Sequence, residues 1–447
     1  YIRHYTPGRW WDSLYTWDAG FIGIGLTELD PERAADCLNA YVTEPGDEQA
    51  AFIHHGSMVP VQHYLFQELW NKTRRRDWLA YFYPRLRQYY LFYSGKAEGS
   101  TTNALGSNLL KTWDYFYNSG GWDDYPAQAH VHRHGLQASA APVITTCHAI
   151  RIAKILTLAA RELGGLAADE AEYAADIARF AEAVERHAWD EASGYYGYVV
   201  HDGGGKPAGI LRHESGANFN MGFDGVYPLV AGECGRARGA VLLERLNDER
   251  RLRTPIGLTA VDRSAPYYRE DGYWNGTVWM AHQWFFWKTM LDLGRADDAW
   301  RIASTALALW ERETRETYNA FEHFTVAAGR GAGWHQFGGL SAPVLDWFGA
   351  YFRAGRATGG FDVWMRRCEF SPDLSRAELE WVHVPNGTAD AYTILIGLRP
   401  DCEYTVTETG GLAAVSVRMR HGGLLELTVP ASLREARVVV RPRTGGG

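Results

Sequence analysis

The chain has 447 residues, enough for one large domain and a smaller one, and an apolar content of 46% that allows a sizeable core. Its formal net charge of −8 comes without a basic cluster, which removes the electrostatic basis of nucleic-acid binding. No apolar run approaches the roughly 18 residues of a membrane span, so no membrane association is expected.

Aromatic residues are in excess, with 18 Trp and 25 Tyr. Their flat apolar faces and polar tips suit both helix packing and the faces and hydroxyl rim of a sugar ring. Cys37, Cys147, Cys234, Cys368 and Cys402 are odd in number and follow no pairing motif. They read as reduced thiols rather than a disulfide framework. The chain starts at Tyr1 and shows no secretory signal pattern, so a cytoplasmic location is the expectation.

In chain order, residues 1 to about 357 read as successive helices joined by Gly-, Pro- and aromatic-rich loops. Ile144, His148, Ile152, Ile155 and Ala159 fall at helical spacing, and Gly164-Gly165 ends that helix. Tyr173, Ile177, Phe180 and Val184 mark its return partner, and Gly276–Leu293 with Asp297–Trp310 form a similar pair. Eleven or twelve such helices suit a double ring of six inner and six outer helices, an (α/α)6 barrel, although periodicity alone fits other all-α arrays. After Gly359-Gly360 the pattern changes. Thr393–Leu398, Tyr404–Thr407, Val415–Arg420, Leu424–Val429 and Val438–Val440 are β-prone, with Gly410-Gly411 and Gly422-Gly423 as turns. The expected organisation is mainly α: a helical domain at 1–358 and a small antiparallel, sandwich-like β domain at 361–447, its tail Gly445–Gly447 loose.

Several loops join Trp to Asp: Trp10-Trp11-Asp12, Tyr15-Thr16-Trp17-Asp18, Trp113-Asp114-Tyr115 and Gly121-Trp122-Asp123-Asp124-Tyr125-Pro126. Tyr273-Trp274-Asn275-Gly276-Thr277-Val278-Trp279 is a further aromatic loop. Cleavage of a glycosidic bond needs two carboxyl groups flanking an oxocarbenium-like centre. One must keep its proton, which burial beside aromatics or a second carboxylate promotes. Asp123-Asp124, between Trp122 and Tyr125, offers that setting. The partner must come from a distant segment, and Glu313, Glu316 and Glu322 are the candidates that spacing leaves open.

These landmarks, in this order, resemble glycoside hydrolase family 63, which includes the processing α-glucosidase I and bacterial α-glycosidases. The similarity spans roughly Tyr15 to Ala350. Thr16-Trp17-Asp18-Ala19-Gly20-Phe21 is similar to the family's opening motif, and Ser119-Gly120-Gly121-Trp122-Asp123-Asp124-Tyr125-Pro126 to its acid loop. Trp189-Asp190-Glu191-Ala192-Ser193-Gly194-Tyr195-Tyr196 and Tyr227-Pro228-Leu229 resemble its middle, and the segment from Tyr273 to Trp279 its Tyr-Trp-Arg-Gly-Pro-Val-Trp run.

The resemblance implies an inverting, exo-acting hydrolase of α-linked glycosides, an α-glucosidase first, without a cofactor or catalytic metal. Its substrate would be an oligosaccharide or small glycoside. Asp123 would be the general acid. Glu322, followed by Phe324, a Gly-rich stretch and a helix begun by Phe337-Gly338-Gly339, would be the base, with Glu316 a decoy. Inversion places the two carboxyl groups about 6.5–9.5 Å apart. Trp17 and Asp18 would hold the non-reducing-end sugar, Trp274, Trp279 and Trp334 would wall the pocket, and Trp113 and Trp122 would shape the aglycone side, with Asp124 beside the acid. Asn275 and Thr277 stand where the family has Arg and Pro, which alters hydroxyl recognition and questions glucose more than sugar. The family's N-terminal β domain has no counterpart here, and the C-terminal region looks more like that of other helical-barrel glycosidases such as α-L-rhamnosidases.

Other readings remain. An α-L-rhamnosidase or a sugar epimerase fits the same architecture, the latter needing His bases such as those of His130-Val131-His132-Arg133-His134. That run also has the alternation of a metal site, but no companion ligand at spacing, so it reads as a polar loop near the aglycone. A non-catalytic carbohydrate-binding protein would keep the aromatics without needing opposed carboxylates. His54-His55-Gly56 precedes a helix containing Pro60, from which Gln62 is a candidate sugar contact. Trp284-Phe285-Phe286-Trp287 reads as core.

Overall fold

A computed structural model describes residues 5–11, 13–51, 57–408 and 415–443. Asp12, His54-His55-Gly56, Gly410-Gly411 and Gly445–Gly447 lie outside the described residues.

Two kinds of helix alternate along the chain. Thr16–Leu26, Val61–Thr73, Val143–Leu163, Met280–Asp292 and Pro343–Phe352 are buried along most of their length, as are the short consecutive helices Phe223–Val226 and Pro228–Ala231. A helix apolar nearly all round must be enclosed by others. Pro31–Asn39, Arg76–Tyr93, Ala167–His187, Arg236–Asn247 and Ala296–Thr317 bury only one face. Sequence dictates their ends. Asp30 caps Pro31–Asn39 by accepting from the Arg33 amide at 3.3 Å, with Pro31 at the first position. Ala167–His187 carries Asp169 and Glu170 in its first turn and Arg186 and His187 in its last, matching the helix dipole.

Buried helices contact one another in sequence. Thr16–Leu26 packs on Val61–Thr73, that on Val143–Leu163, that on Pro228–Ala231, and that on Met280–Asp292. Pro343–Phe352 touches both Met280–Asp292 and Thr16–Leu26.

The pair read from Ile144 and Tyr173 is present as Val143–Leu163 and Ala167–His187, with Gly164 ending the first at φ 77°. One expectation needs correction. Val143–Leu163 is long and apolar enough to cross a membrane, yet it is buried within the protein. Thr145, Thr146, His148 and Arg151 interrupt its apolar run, which hid it from a search for uninterrupted stretches.

Beyond Phe352, two four-stranded antiparallel sheets face each other. One has the order Arg356–Thr358, Ala391–Gly397, Leu424–Pro430, Ser416–His421, and the other Val363–Phe370, Ala377–His383, Glu435–Pro442, Tyr404–Glu408. Leu379, Trp381 and Val438 from one sheet share an apolar core with Tyr392, Ile394 and Leu427 from the other. The sequence reading did not include Arg356–Thr358, Val363–Phe370 and Ala377–His383 as strands; the last two carry charges whose partners lie on neighbouring strands, Arg367 with Glu378 and Glu378 with Arg437.

The sheets are fixed to the C-terminal ends of the buried helices by enclosed charges. Arg151 meets Asp362 at 2.5 Å and donates to the Val230 carbonyl at 2.7 Å. Asp292 accepts from the amides of Phe361 at 3.0 Å and Asp362 at 2.8 Å. Lys288 donates to the Gly359 carbonyl at 3.0 Å and pairs with Glu68 at 2.6 Å, while Lys72 ties the helices to one another through Glu28 at 2.8 Å and Asp346 at 2.5 Å. The opposite, N-terminal ends stay free of the sheets.

Candidate active site

A cavity of about 440 Å³ opens at those N-terminal ends. Trp17 and Asp18 enter it from the first turn of Thr16–Leu26, Trp274 and Trp279 from the segment leading into Met280–Asp292, Asp123 from its own loop, and Glu322 and Trp334 from the hairpin Phe321–Phe324 and Gly331–His335. Floor and rim differ. Trp17, Trp274, Trp279, Asp18 and Glu322 are buried, while Asp123 belongs to an exposed stretch of loop.

The floor rings fix one another. Trp274 stacks on Trp279 at 3.5 Å and 9°, and Trp17 meets Trp274 at 6.0 Å. Gly121 has φ 81°, and a Cβ there would stand 2.3 Å from the Trp17 ring, so only glycine lets the acid loop close over the tryptophan. Glu322 is held by two donors: the Tyr273 hydroxyl reaches Oε1 at 2.5 Å and the Trp334 amide reaches Oε2 at 3.4 Å. Gly333, at φ 73°, passes so close that a Cβ would lie 2.3 Å from Glu322 Oε2. The Gly-rich stretch therefore serves the carboxylate directly.

Asp123 and Asp18 share this space with Glu322, whose charge acts on both. Desolvation raises the Asp123 carboxyl above its ordinary range, and the charges of Glu322 and Asp124 add to it. Asp18 is raised further by its burial, with its own helix amide opposing and Glu322 and Asp123 contributing. Both hold a proton to higher pH than free aspartate.

Glu313 and Glu316 have other employment. Arg330 binds Glu313 at 2.6 Å and Glu316 at 2.9 Å. Both lie on the helix Ala296–Thr317, and neither lines the cavity.

Residues 12–338 match the family model described as the mannosylglycerate hydrolase MGH1-like glycoside hydrolase domain. The chain belongs to this family. It is a glycoside hydrolase of the family 63 type. A curated mannosylglycerate hydrolase from Thermus thermophilus is 30% identical over 162 residues, covering 36% of this chain and 34% of that protein. The match thus spans about a third of the relative's length. The crystal structure of a family 63 mannosylglycerate hydrolase from Thermus thermophilus in complex with Tris and D-glycerate has a TM-score of 0.59 at 20% identity, over 77% of this chain and 95% of that one. Neutral trehalase from Saccharomyces cerevisiae has a TM-score of 0.56 at 14% identity, over 78% and 73%.

In this glycoside hydrolase, five residues expected to touch substrate are not among those lining the cavity. Gln62 is buried and donates to the Thr16 carbonyl at 3.0 Å, bracing the turn that carries Trp17. Trp122 is enclosed, stacked on Tyr125 at 4.3 Å and on His282 at 5.0 Å. Burial pushes His282 down to about 3, so it stays neutral there. Trp113 is tied by its indole N–H to the Ala140 carbonyl at 2.8 Å. Asp124 accepts from the Trp274 amide at 2.7 Å, joining the acid loop to the floor. Asn275 lies outside the lining: on the short helix Tyr273–Gly276 it faces Gly272, whose Cβ would sit 1.9 Å from Asn275 Oδ1. Nor does Phe337 begin a helix; it lines the cavity from a loop, and the helix starts at Pro343.

The cavity also recruits Trp11, Tyr15, Tyr117, Asn118 and Tyr273. Trp11, Tyr15 and Tyr273 belong to the aromatic loops read from the sequence, whereas Tyr117 and Asn118 enter from a bent loop that no local pattern marks.

Tyr273 is a positioning residue, acting through Glu322. Tyr273→Phe is expected to lower kcat by about 10–100-fold, the scale of a hydrogen bond to a charged group, while KM moves less than threefold. Steady-state kinetics checks this, and a loss confined to KM would assign Tyr273 to substrate binding instead.

Proposed function

We propose that this glycoside hydrolase is an inverting, exo-acting enzyme for α-linked sugars, with Asp123 as general acid and Glu322 as general base. The observation that carries this reading is the pairing of a rim carboxyl raised above its ordinary range with a buried carboxylate gripped by two donors, in one aromatic cavity. Asp123 protonates the oxygen of the departing group at the mouth. Glu322 takes a proton from water attacking the opposite ring face, and Asp18 with Trp17 binds the sugar's distal hydroxyls. A volume near 440 Å³ falls within the small-ligand range of about 300–1,000 Å³.

The closed sequence of contacts among the buried helices supports an (α/α)6 barrel as the scaffold. Residues 1–358 form the catalytic domain in this reading, with their last strand lent to the β domain at 361–447. α-Glucosides are the first substrate class and α-mannosides the second, because the curated relative is a mannosylglycerate hydrolase. Epimerase chemistry would place histidine bases against the sugar, and the described residues lining the cavity include none.

A panel of α- and β-linked glucosides and mannosides tests the proposal. Turnover of α-linked, non-reducing-end sugars is expected. Preference for β-linked substrates or cleavage inside a chain would contradict it. The alkaline limb of kcat/KM is expected above the free-aspartate value of 3.8, because activity needs protonated Asp123 and disappears as pH rises through its raised pKa. A limb already complete near that free value would remove Asp123 as the acid.

A further inference from the structure

The mouth of the cavity is built differently from its floor. Tyr117 and Trp334 line the cavity yet are 55% and 46% exposed. Each ring is braced from behind rather than left loose. Tyr117 lies flat on His132, with centroids 4.0 Å apart and planes at 10°. His132 is pinned in turn, by the Tyr117 carbonyl at 2.5 Å and by Gln137 at 3.0 Å. Trp113 sets its ring against His132 at 5.2 Å and 84°. On the other wall, Trp334 stands against Trp11 at 5.4 Å and 80°. Aromatic faces held open to water are costly unless something covers them.

What covers them follows from the position of Asp123, also at the rim and six residues along the same loop from Tyr117. On the acid and base assignment proposed above, the leaving oxygen must reach Asp123, so the departing group lies at the rim of the cavity that Tyr117 and Trp334 also line. Charge narrows its chemistry. The described lining residues include Asp18, Asp123 and Glu322 but no Lys or Arg. Arg9 lies outside the lining, bonded to Gln336 at 3.2 Å and set over Trp10. A carboxylate aglycone would bring its negative charge beside the Glu322 carboxylate, with no cation among the described lining residues to meet it.

We propose that Tyr117 and Trp334 form an acceptor platform for a neutral leaving group with a flat apolar face, a second pyranose ring, and that the site discriminates against small carboxylate aglycones. The inference rests on the α-glycosidase reading, and one set of substrates separates the two. The full chain is assayed with an α-linked disaccharide, the matching glycosylglycerol and glycosylglycerate, and the α-glycosyl fluoride, whose leaving group is too small to touch the platform. The disaccharide is expected to exceed the glycosylglycerate by tenfold or more in kcat/KM. Tyr117→Ala and Trp334→Ala are each expected to lower the disaccharide-to-fluoride ratio of kcat/KM about tenfold, mainly through KM, while Tyr117→Phe retains it. A glycosylglycerate hydrolysed as well as the disaccharide, or an unchanged ratio in both alanine variants, would overturn the platform and leave the glycosidase standing. Failure to hydrolyse any of the four substrates, the fluoride included, would overturn the glycosidase reading itself.

Discussion

Glu322→Gln is expected to lower kcat for an α-linked substrate by about 10²–10⁴-fold, the range that a positioned general base contributes. The substitution keeps the size of the side chain and one of the two oxygens that the Tyr273 hydroxyl and the Trp334 amide bind, so the hairpin Phe321–Phe324 with Gly331–His335 is expected to keep its form at the loss of one of those hydrogen bonds. Loss of activity with an unchanged melting temperature would therefore report chemistry rather than folding. Asp123 supplies an internal control. Desolvation raises its carboxyl first, then the charges of Glu322 and Asp124. With glutamine at 322 one of those charges is gone, so the alkaline limb of the residual activity should move to lower pH. Glu316→Gln, by contrast, touches a carboxylate engaged with Arg330 at the surface, and its activity should stay within about twofold of the parent. Activity that survived at 322 and fell at 316 would reverse the assignment of the base.

Arg151→Met is expected to destabilise the fold by about 3–5 kcal/mol, the cost of stranding a buried charge. Arg151 is fully enclosed and pairs with Asp362 at 2.5 Å, with Asp292 also within 3.9 Å. Although burial raises it, the guanidinium holds the Asp362 carboxyl below its ordinary value. Asp292, enclosed and beside the Asp362 charge, is pushed up to about 8. Methionine fills much of the arginine's volume, so the loss reports charge more than cavity. Urea unfolding at pH 7 measures it. Asp362→Leu placed on Arg151→Met should restore part of the loss, because it removes the stranded carboxylate. A change below about 1 kcal/mol in the single variant would mean that the pair adds little to the attachment of the sheets.

The parts of this molecule that sequence reveals are those where one residue decides its own surroundings. Gly164 ends a helix whatever lies around it, and Asp30 with Pro31 starts one. The same local logic exposes the acid loop, because Asp123 between Trp122 and Asp124 carries its own perturbing neighbours. Choosing among Glu313, Glu316 and Glu322 is a different problem, since all three sit in one short stretch and only the tertiary path separates them. Arg330 occupies the first two, and the Gly331–His335 strand folds back over the third. Long-range contacts also displaced Gln62, Trp113 and Trp122 from the expected contact surface. Each is polar-tipped and aromatic or amidic in a promising motif, yet Gln62 and Trp113 donate to backbone carbonyls and Trp122 is enclosed in a ring stack with Tyr125 and His282. The β strands at 363–370 and 377–383 were hidden because Arg367, Glu378 and Arg437 make cross-strand ion pairs that no local pattern announces.

The central claim is that Glu322 activates water rather than forming a bond to the sugar. Proton NMR of the anomer first released from an α-linked glucoside or mannoside tests this most directly. The account predicts that the β-anomer appears first and then mutarotates to the equilibrium mixture. First release of the α-anomer would mean retention through a covalent intermediate, and would contradict the roles given to Asp123 and Glu322.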